Sequence, residues 1–243
     1  MLSHLSSFLL ALLCATGLIS TLLADEIKTF NAVSPDGLNE VRLGISKTKG
    51  LQYSVLRRGK CVIEPTFFAL KIEERGWLNG KSAAQGRAAL PTMTSRKIKE
   101  KLATPIYKKS SVDLAANETR VDFGDWAVVL HARNDGVAWR FETEMEGEIT
   151  VRGEDTSVRF PKGTELCYTM ARGLMSGWEK PAVIGPVESV SPGHPQIVMT
   201  PFTATVQGAG VVTVTESNLL YNQGGRQNQS PPRTRRRICR TVC

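Results

Sequence analysis

The stretch Trp126-Ala127-Val128-Val129-Leu130-His131-Ala132-Arg133-Asn134-Asp135-Gly136-Val137-Ala138-Trp139-Arg140-Phe141 decides the fold. Two apolar runs, Trp126 to His131 and Val137 to Phe141, flank Asn134-Asp135-Gly136. An Asp-Gly step between such runs is a hairpin signal, because glycine takes φ > 0 at no steric cost. β-Branched and aromatic side chains fit a pleated, half-buried surface, so the pair reads as two antiparallel strands.

The same grammar extends in both directions. Val41, Leu43 and Ile45 alternate with Arg42, Gly44 and Ser46, after the turn Ser34-Pro35-Asp36-Gly37. Tyr53 and Val55 follow the Lys49-Gly50 break, and Arg58-Gly59-Lys60 turns the chain into Cys61, Val62 and Ile63. Phe68, Leu70 and Ile72 lead to Gly76, and Val121-Asp122-Phe123 precedes the decisive hairpin. Ser157 to Phe160, Leu166 to Met170, Ile197 to Thr200 and Val211 to Thr215 continue the series. Twelve prolines and 21 glycines interrupt every long helix. Short strands at this spacing predict an all-β fold, a large antiparallel β-sandwich or barrel. Gly80 to Pro91 reads as the main irregular loop, and Ser95 to Leu102 as one short helix.

Size and charge remove several classes. A chain of 243 residues makes one large domain or two small ones. Only one long apolar run exists, at the N-terminus, which excludes a polytopic membrane protein. No heptad or longer period recurs, which excludes coiled coils and solenoids. Of the net charge of +8, six arginines (Arg226, Arg233, Arg235, Arg236, Arg237 and Arg240) lie in an end segment without a single acid. The basicity therefore belongs to a tail, and no nucleic-acid partner is expected. That tail, residues 223–243, is rich in Asn, Gln, Arg, Pro and Ser, and is expected to be disordered.

Residues 1–24 read as a signal peptide. Leu5, Phe8, Leu9, Leu10, Leu12 and Leu13 form an apolar run with no charge before Asp25, and Ala24 suits cleavage. The mature chain then begins near Asp25, in the periplasm or outside the cell, with no membrane span left; an uncleaved anchor is the alternative. Cys61, Cys167, Cys239 and Cys243 remain, in a compartment that permits disulfides but with spacing that does not pair them. Cys61 and Cys167, in strand-like segments, read as buried thiols.

Candidate sites are few. His131 lies on a strand and reads as a satisfied structural histidine, while His194 sits in the loop Ser191-Pro192-Gly193-His194-Pro195. No G-x-S-x-G elbow, Walker motif or dinucleotide fingerprint occurs. Glu142, Glu144 and Glu146 alternate along one strand and read as a solvated face; Glu179 and Glu216 are further acids. Among the tryptophans, Trp126 and Trp139 read as core, and Trp77 has an aromatic face to offer. Trp178, within Ser176-Gly177-Trp178-Glu179-Lys180-Pro181, reads as the candidate that stacks on a sugar ring.

Four segments together resemble the N-terminal domain of glycoside hydrolase family 97, exported α-glucosidases and α-galactosidases. They are Ser34-Pro35-Asp36-Gly37, Leu51-Gln52-Tyr53-Ser54-Val55, Asp135-Gly136-Val137-Ala138-Trp139-Arg140-Phe141 and Thr215-Glu216-Ser217-Asn218-Leu219. The resemblance implies a galactose-mutarotase-like sandwich over residues 25–222. It further implies a (β/α)8 barrel downstream that carries the catalytic carboxylates, so no catalytic residue is assigned in this chain. It also implies that Glu216 lends one carboxylate to a calcium ion shared with that barrel. Pro65-Thr66-Phe67-Phe68-Ala69-Leu70 departs from the family pattern, which tends to a serine and a glycine there. The expected function is a carbohydrate-associated module, inactive alone, with an exposed apolar patch where a barrel would pack. The alternatives are a stand-alone mutarotase-like enzyme and a fragment of a complete α-glycosidase from a mis-read gene.

Overall fold

A computed structural model describes residues 26–104, 106, 108–171, 179–190, 197–217 and 236–242. The strands are β1 (Glu26–Val33), β2 (Asn39–Ser46), β3 (Gly50–Arg57), β4 (Lys60–Ile72), β5 (Gly76–Leu78), β6 (Thr92–Ala103), β7 (Ser111–Asp122) and β8 (Trp126–Arg133). They continue as β9 (Gly136–Thr143), β10 (Val151–Thr156), β11 (Glu165–Ala171), β12 (Val183–Pro186), β13 (Ile197–Val206), β14 (Gly210–Ser217) and β15 (Arg236–Val242). A single helical turn, α1 (Lys81–Ala84), and a 3-10 turn at Val187–Ser189 complete the elements.

Two antiparallel sheets pack face to face. One has six strands in the order β1-β2-β3-β4-β10, with β5 also paired to β4; the other has nine, β12-β11-β13-β14-β15-β9-β8-β7-β6. The all-β sandwich expected from the sequence is the observed fold. Alternation does the sorting: in β2, Val41, Leu43 and Ile45 are fully buried while Arg42 points outward. The sheets are joined by an aromatic cluster. Tyr53 of β3 meets Trp139 of β9 at 4.2 Å between ring centroids, and Phe68 of β4 meets Phe141 at 4.5 Å. The Tyr53 hydroxyl donates to the Ser157 carbonyl at 2.7 Å, so its polar end is satisfied inside the core.

Turn chemistry explains the connections. Arg58 and Gly59 have φ of 50° and 73°, the left-handed pair that a tight β3–β4 hairpin requires. The Asn134-Asp135 turn exists, but Gly136 is not among the glycines with positive φ and instead begins β9. The turn is fixed by other means. Arg133 forks onto Asp135 with two bonds of 2.9 Å, and the Asn39 side chain donates to the carbonyls of Arg133 and Asn134.

Three expectations are corrected. Ser95 to Leu102 is not a helix; it lies in β6, which pairs with β7 from Thr92↔Asp122 to Ala103↔Ser111. Its Lys, Glu and Leu residues favour helix intrinsically, and the continuous ladder overrides that weak preference. Gly80 to Pro91 contains the helical turn α1 rather than only loop. The tail is not disordered throughout, because Arg236–Val242 forms β15 between β14 and β9. A strand between two others needs backbone N–H and C=O groups, and this segment has no Pro to withhold a donor.

Trp139, 2% exposed, should be the costly core position. Trp139→Ala is expected to lower unfolding free energy by about 3–5 kcal/mol. Leu102→Ala, on exposed β6, should change it by no more than about 0.5 kcal/mol. Denaturant titration of both variants distinguishes the two.

Candidate functional site

The polar architecture lies on the outer face of the nine-stranded sheet. Alternation in β7, β8 and β9 sends Val121, Leu130 and Trp139 inward and leaves Glu118, Arg120, Arg140 and Glu142 on the opposite face. Between them on β8 stand Ala127 and Val129, opposite Asp122/Glu142 and Arg120/Arg140 in the register. These residues are short, so long side chains from β7 and β9 meet above them. Arg96 donates to Glu118 at 2.8 Å, Arg140 to Glu118 at 3.2 Å and to Glu142 at 2.8 Å. Arg120 pairs with Glu142 as well, and reaches Asp122 and Glu144 at 3.1 Å each. The result is a run of alternating charge, Arg96–Glu118–Arg140–Glu142–Arg120.

Glu142 is 1% exposed, which corrects the expectation of a solvated face; Glu144 and Glu146 are exposed as expected. Two arginines cover Glu142 and compensate its charge, which a single-strand reading of the alternation does not show. Burial by itself pushes Glu118 up, but Arg96 and Arg140 outweigh it and hold the carboxyl below its ordinary value. His131, opposite Glu118 on β8, is pushed down by burial against the pull of that carboxylate. Its Nε2 is buried with no hydrogen-bond partner, so it is not the satisfied histidine expected from the sequence.

A cleft of about 390 Å³ opens where the β4–β5 turn faces the segment after β9, lined by Glu74, Arg75, Asp125, Glu144, Glu146 and Glu148. Arg75 pairs with Asp125 across it. Backbone hydrogen bonding holds Glu74 below the usual carboxylate range. Asp36, Glu40 and Glu188 are lowered too. Among the described residues, every carboxyl with a resolved shift moves in that direction.

The remaining expected residues are distributed as follows. Glu216 is half-buried near the end of β14, opposite Arg240 of β15 in the register. Among the described residues no group of three or more His, Cys, Asp or Glu is placed to hold a metal. Calcium takes six to eight oxygens, so the described side chains do not by themselves make a calcium site around Glu216. Trp178, His194 and the segment 1–24 lie outside the described residues. Trp126 and Trp139 are core residues at 8% and 2% exposure. Trp77 is 45% exposed, with Lys71 Nζ 5.8 Å from its ring centroid. Cys61 is exposed and Cys167 half-buried, both free, so the buried-thiol reading fails for Cys61, at the exposed start of β4. No described helix is long and apolar enough to cross a membrane.

A family model described as Glycosyl-hydrolase 97 N-terminal matches residues 32–235. A retaining alpha-galactosidase of Bacteroides thetaiotaomicron is 29% identical over 159 residues, 65% of this chain and 22% of that protein. In structure, the chain is similar to a glycoside hydrolase family 97 enzyme of Pseudoalteromonas sp. strain K8 solved with acarbose. That likeness has a TM-score of 0.67 and 18% identity, and covers 88% of this chain and 35% of that one. A beta-arabinopyranosidase gives a TM-score of 0.65 at 18% identity, covering 88% and 39%. The chain thus spans about a fifth of the curated relative and somewhat over a third of the solved enzymes.

Two titrations follow from the lattice. His131 and Glu118 are both depressed in the fold from ordinary values of 6.5 and 4.5. Each therefore contributes stability that is present at neutral pH and lost as pH falls, His131 first and Glu118 below it. His131→Gln should flatten the decline in Tm between about pH 7 and 5. An unchanged slope would show that His131 carries no part of it. Glu142→Gln removes the negative charge and turns one of the two arginine acceptors into an NH2 donor, and should cost about 3 kcal/mol in denaturant unfolding at pH 7.

Proposed function

The chain belongs to the Glycosyl-hydrolase 97 N-terminal family, and we propose that it serves as an exported, carbohydrate-associated sandwich module that does not hydrolyse glycosides by itself. The observation that supports the second half is geometric: the two buried carboxylates of the lattice, Glu118 and Glu142, are each shared between two arginines. A glycosidase needs a general acid whose pKa is raised enough to hold a proton near neutrality. The described carboxyls with resolved shifts are all pushed the other way, Glu118 by arginines of the lattice. Such groups accept hydrogen bonds well and donate protons poorly.

In this reading the chemistry belongs to a catalytic (β/α)8 barrel, as partner or as continuation of the chain. Exposed apolar side chains such as Trp77, Ile184 and Val211 offer contact area for it. Glu216 supplies one carboxylate ligand to a calcium ion whose remaining oxygens come from that partner, and Trp178 stacks on the apolar face of a sugar. The acarbose complex of the Pseudoalteromonas enzyme and the galactosidase activity named for the Bacteroides protein make α-linked glucose and galactose units the first ligands to try.

Isothermal titration of the purified chain with maltose- and galactose-type oligosaccharides tests the carbohydrate half. Saturable heat is expected, reduced at least about fivefold in affinity by Trp178→Ala, the loss typical of one stacked aromatic. Flat titrations across both sugar series would sink it. Export is checked separately by sequencing the N-terminus of protein recovered outside the cytoplasm, which should read from Asp25; retention of residues 1–24 would indicate an anchor instead.

A further inference from the structure

Strand β6 ends the nine-stranded sheet and, among the described residues, pairs with β7 alone. The β7–β8 ladder stops at Ala116↔Arg133, while the β6–β7 ladder runs on from Lys99↔Ala115 to Ala103↔Ser111. The end of this hairpin is therefore a two-stranded overhang, and such a ribbon is marginal in water until a third strand joins it. Every residue of β6 except Ile98 is exposed, and its free row of backbone donors and acceptors is a template for a further strand. Period two divides the side chains. Arg96, Ile98, Glu100 and Leu102 share the face of Glu118, whereas Lys97, Lys99 and Lys101 form a stripe on the other. None of these three lysines is in an ion pair among the described residues. A second copy of β6 would meet its own charge there, because Arg96, Lys97, Lys99 and Lys101 stand against one acid, Glu100. Residues directly opposite across a ladder attract when their charges are opposite and repel when they are alike.

We propose that the free edge of β6 from Arg96 to Leu102 docks an acidic, extended segment of another polypeptide, which adds to the sheet through its backbone and is selected by its carboxylates. Charge complementarity sets the pattern. Acids at every second position of the segment fall opposite Lys97, Lys99 and Lys101, and the positions between them share a face with Ile98 and Leu102 and take apolar side chains. The position opposite Glu100 takes a neutral or basic one. Joining the overhang turns a two-stranded ribbon into a three-stranded one, so the docked segment also stabilises the part of β6 and β7 that extends past β8. This inference is independent of sugar binding.

The test titrates the full chain into the fluorescein-labelled peptide Val-Glu-Thr-Glu-Val-Glu-Thr and reads anisotropy. A saturable rise is expected, weakening as sodium chloride is added. The same peptide with lysine for every glutamate should bind at least about tenfold more weakly. N-methylation of two adjacent central residues, which removes an edge-facing donor in either register, should cost at least about tenfold as well. Lys97→Glu, Lys99→Glu and Lys101→Glu made together should invert the preference, so that the lysine peptide binds and the glutamate peptide does not. If that variant loses its β-sheet signal in circular dichroism, the two peptides on the native chain decide. No saturable rise, equal binding of the glutamate and lysine peptides, or equal binding of the N-methylated and parent peptides would each overturn the proposal. So would a peptide with its glutamates grouped at one end binding as well as the alternating one, since that is attraction to charge without a ladder. Dimerisation of the peptide-free chain in sedimentation, lost in the triple variant, would make this edge an interface between copies. Capture by phosphatidylglycerol vesicles in place of the peptide would make it a lipid contact, and either result overturns the proposal too.

Discussion

The contact between Tyr53 and Trp139 is the one the rest of the molecule depends on. It is made by two strands of different sheets, β3 and β9, and brings their rings to 4.2 Å between centroids. Phe68 and Phe141 repeat the arrangement beside it, and both pairs adjoin edge-to-face partners. Aromatic side chains bury large apolar areas while losing few rotamers, so a handful of them fixes the separation of the two sheets. Once that separation is set, each strand has an inner face and an outer face. The alternation of β7, β8 and β9 then decides which charges are left to find one another.

How much of this was legible in the sequence follows from what each feature is made of. The sandwich was, because period-two burial is written in single residues: Val41, Leu43 and Ile45 point inward wherever their strand lies. The core roles of Trp126 and Trp139 were legible for the same reason. The burial of Glu142 was not, since it needs Arg120 from one strand and Arg140 from another, with the short side chains of Ala127 and Val129 between. A signal was present nonetheless. Glu118-Thr119-Arg120-Val121-Asp122 alternates acid, base, acid at period two, and Arg140-Phe141-Glu142 sets a base beside an acid at the same spacing on a strand that shares its neighbour. Strand β6 was misread because Arg96 to Leu102 carries helix-forming side chains, and only the ladder to β7 shows why they are extended. Strand β15 was misread because composition reports on side chains, and its place in the sheet is a matter of backbone.

The arginine lattice also constrains the kind of chemistry the sandwich can host. Glu142 and Glu118 each bridge two guanidinium groups, one oxygen to each, so their lone pairs are committed to those bonds. That leaves the charges on the outer face of β7 to β9 paired across strands. Side chains already held by ion pairs lose little further conformational entropy when another contact forms over them. Carboxylate oxygens already bound to guanidinium groups are occupied acceptors, so any further contact with them has to displace an arginine.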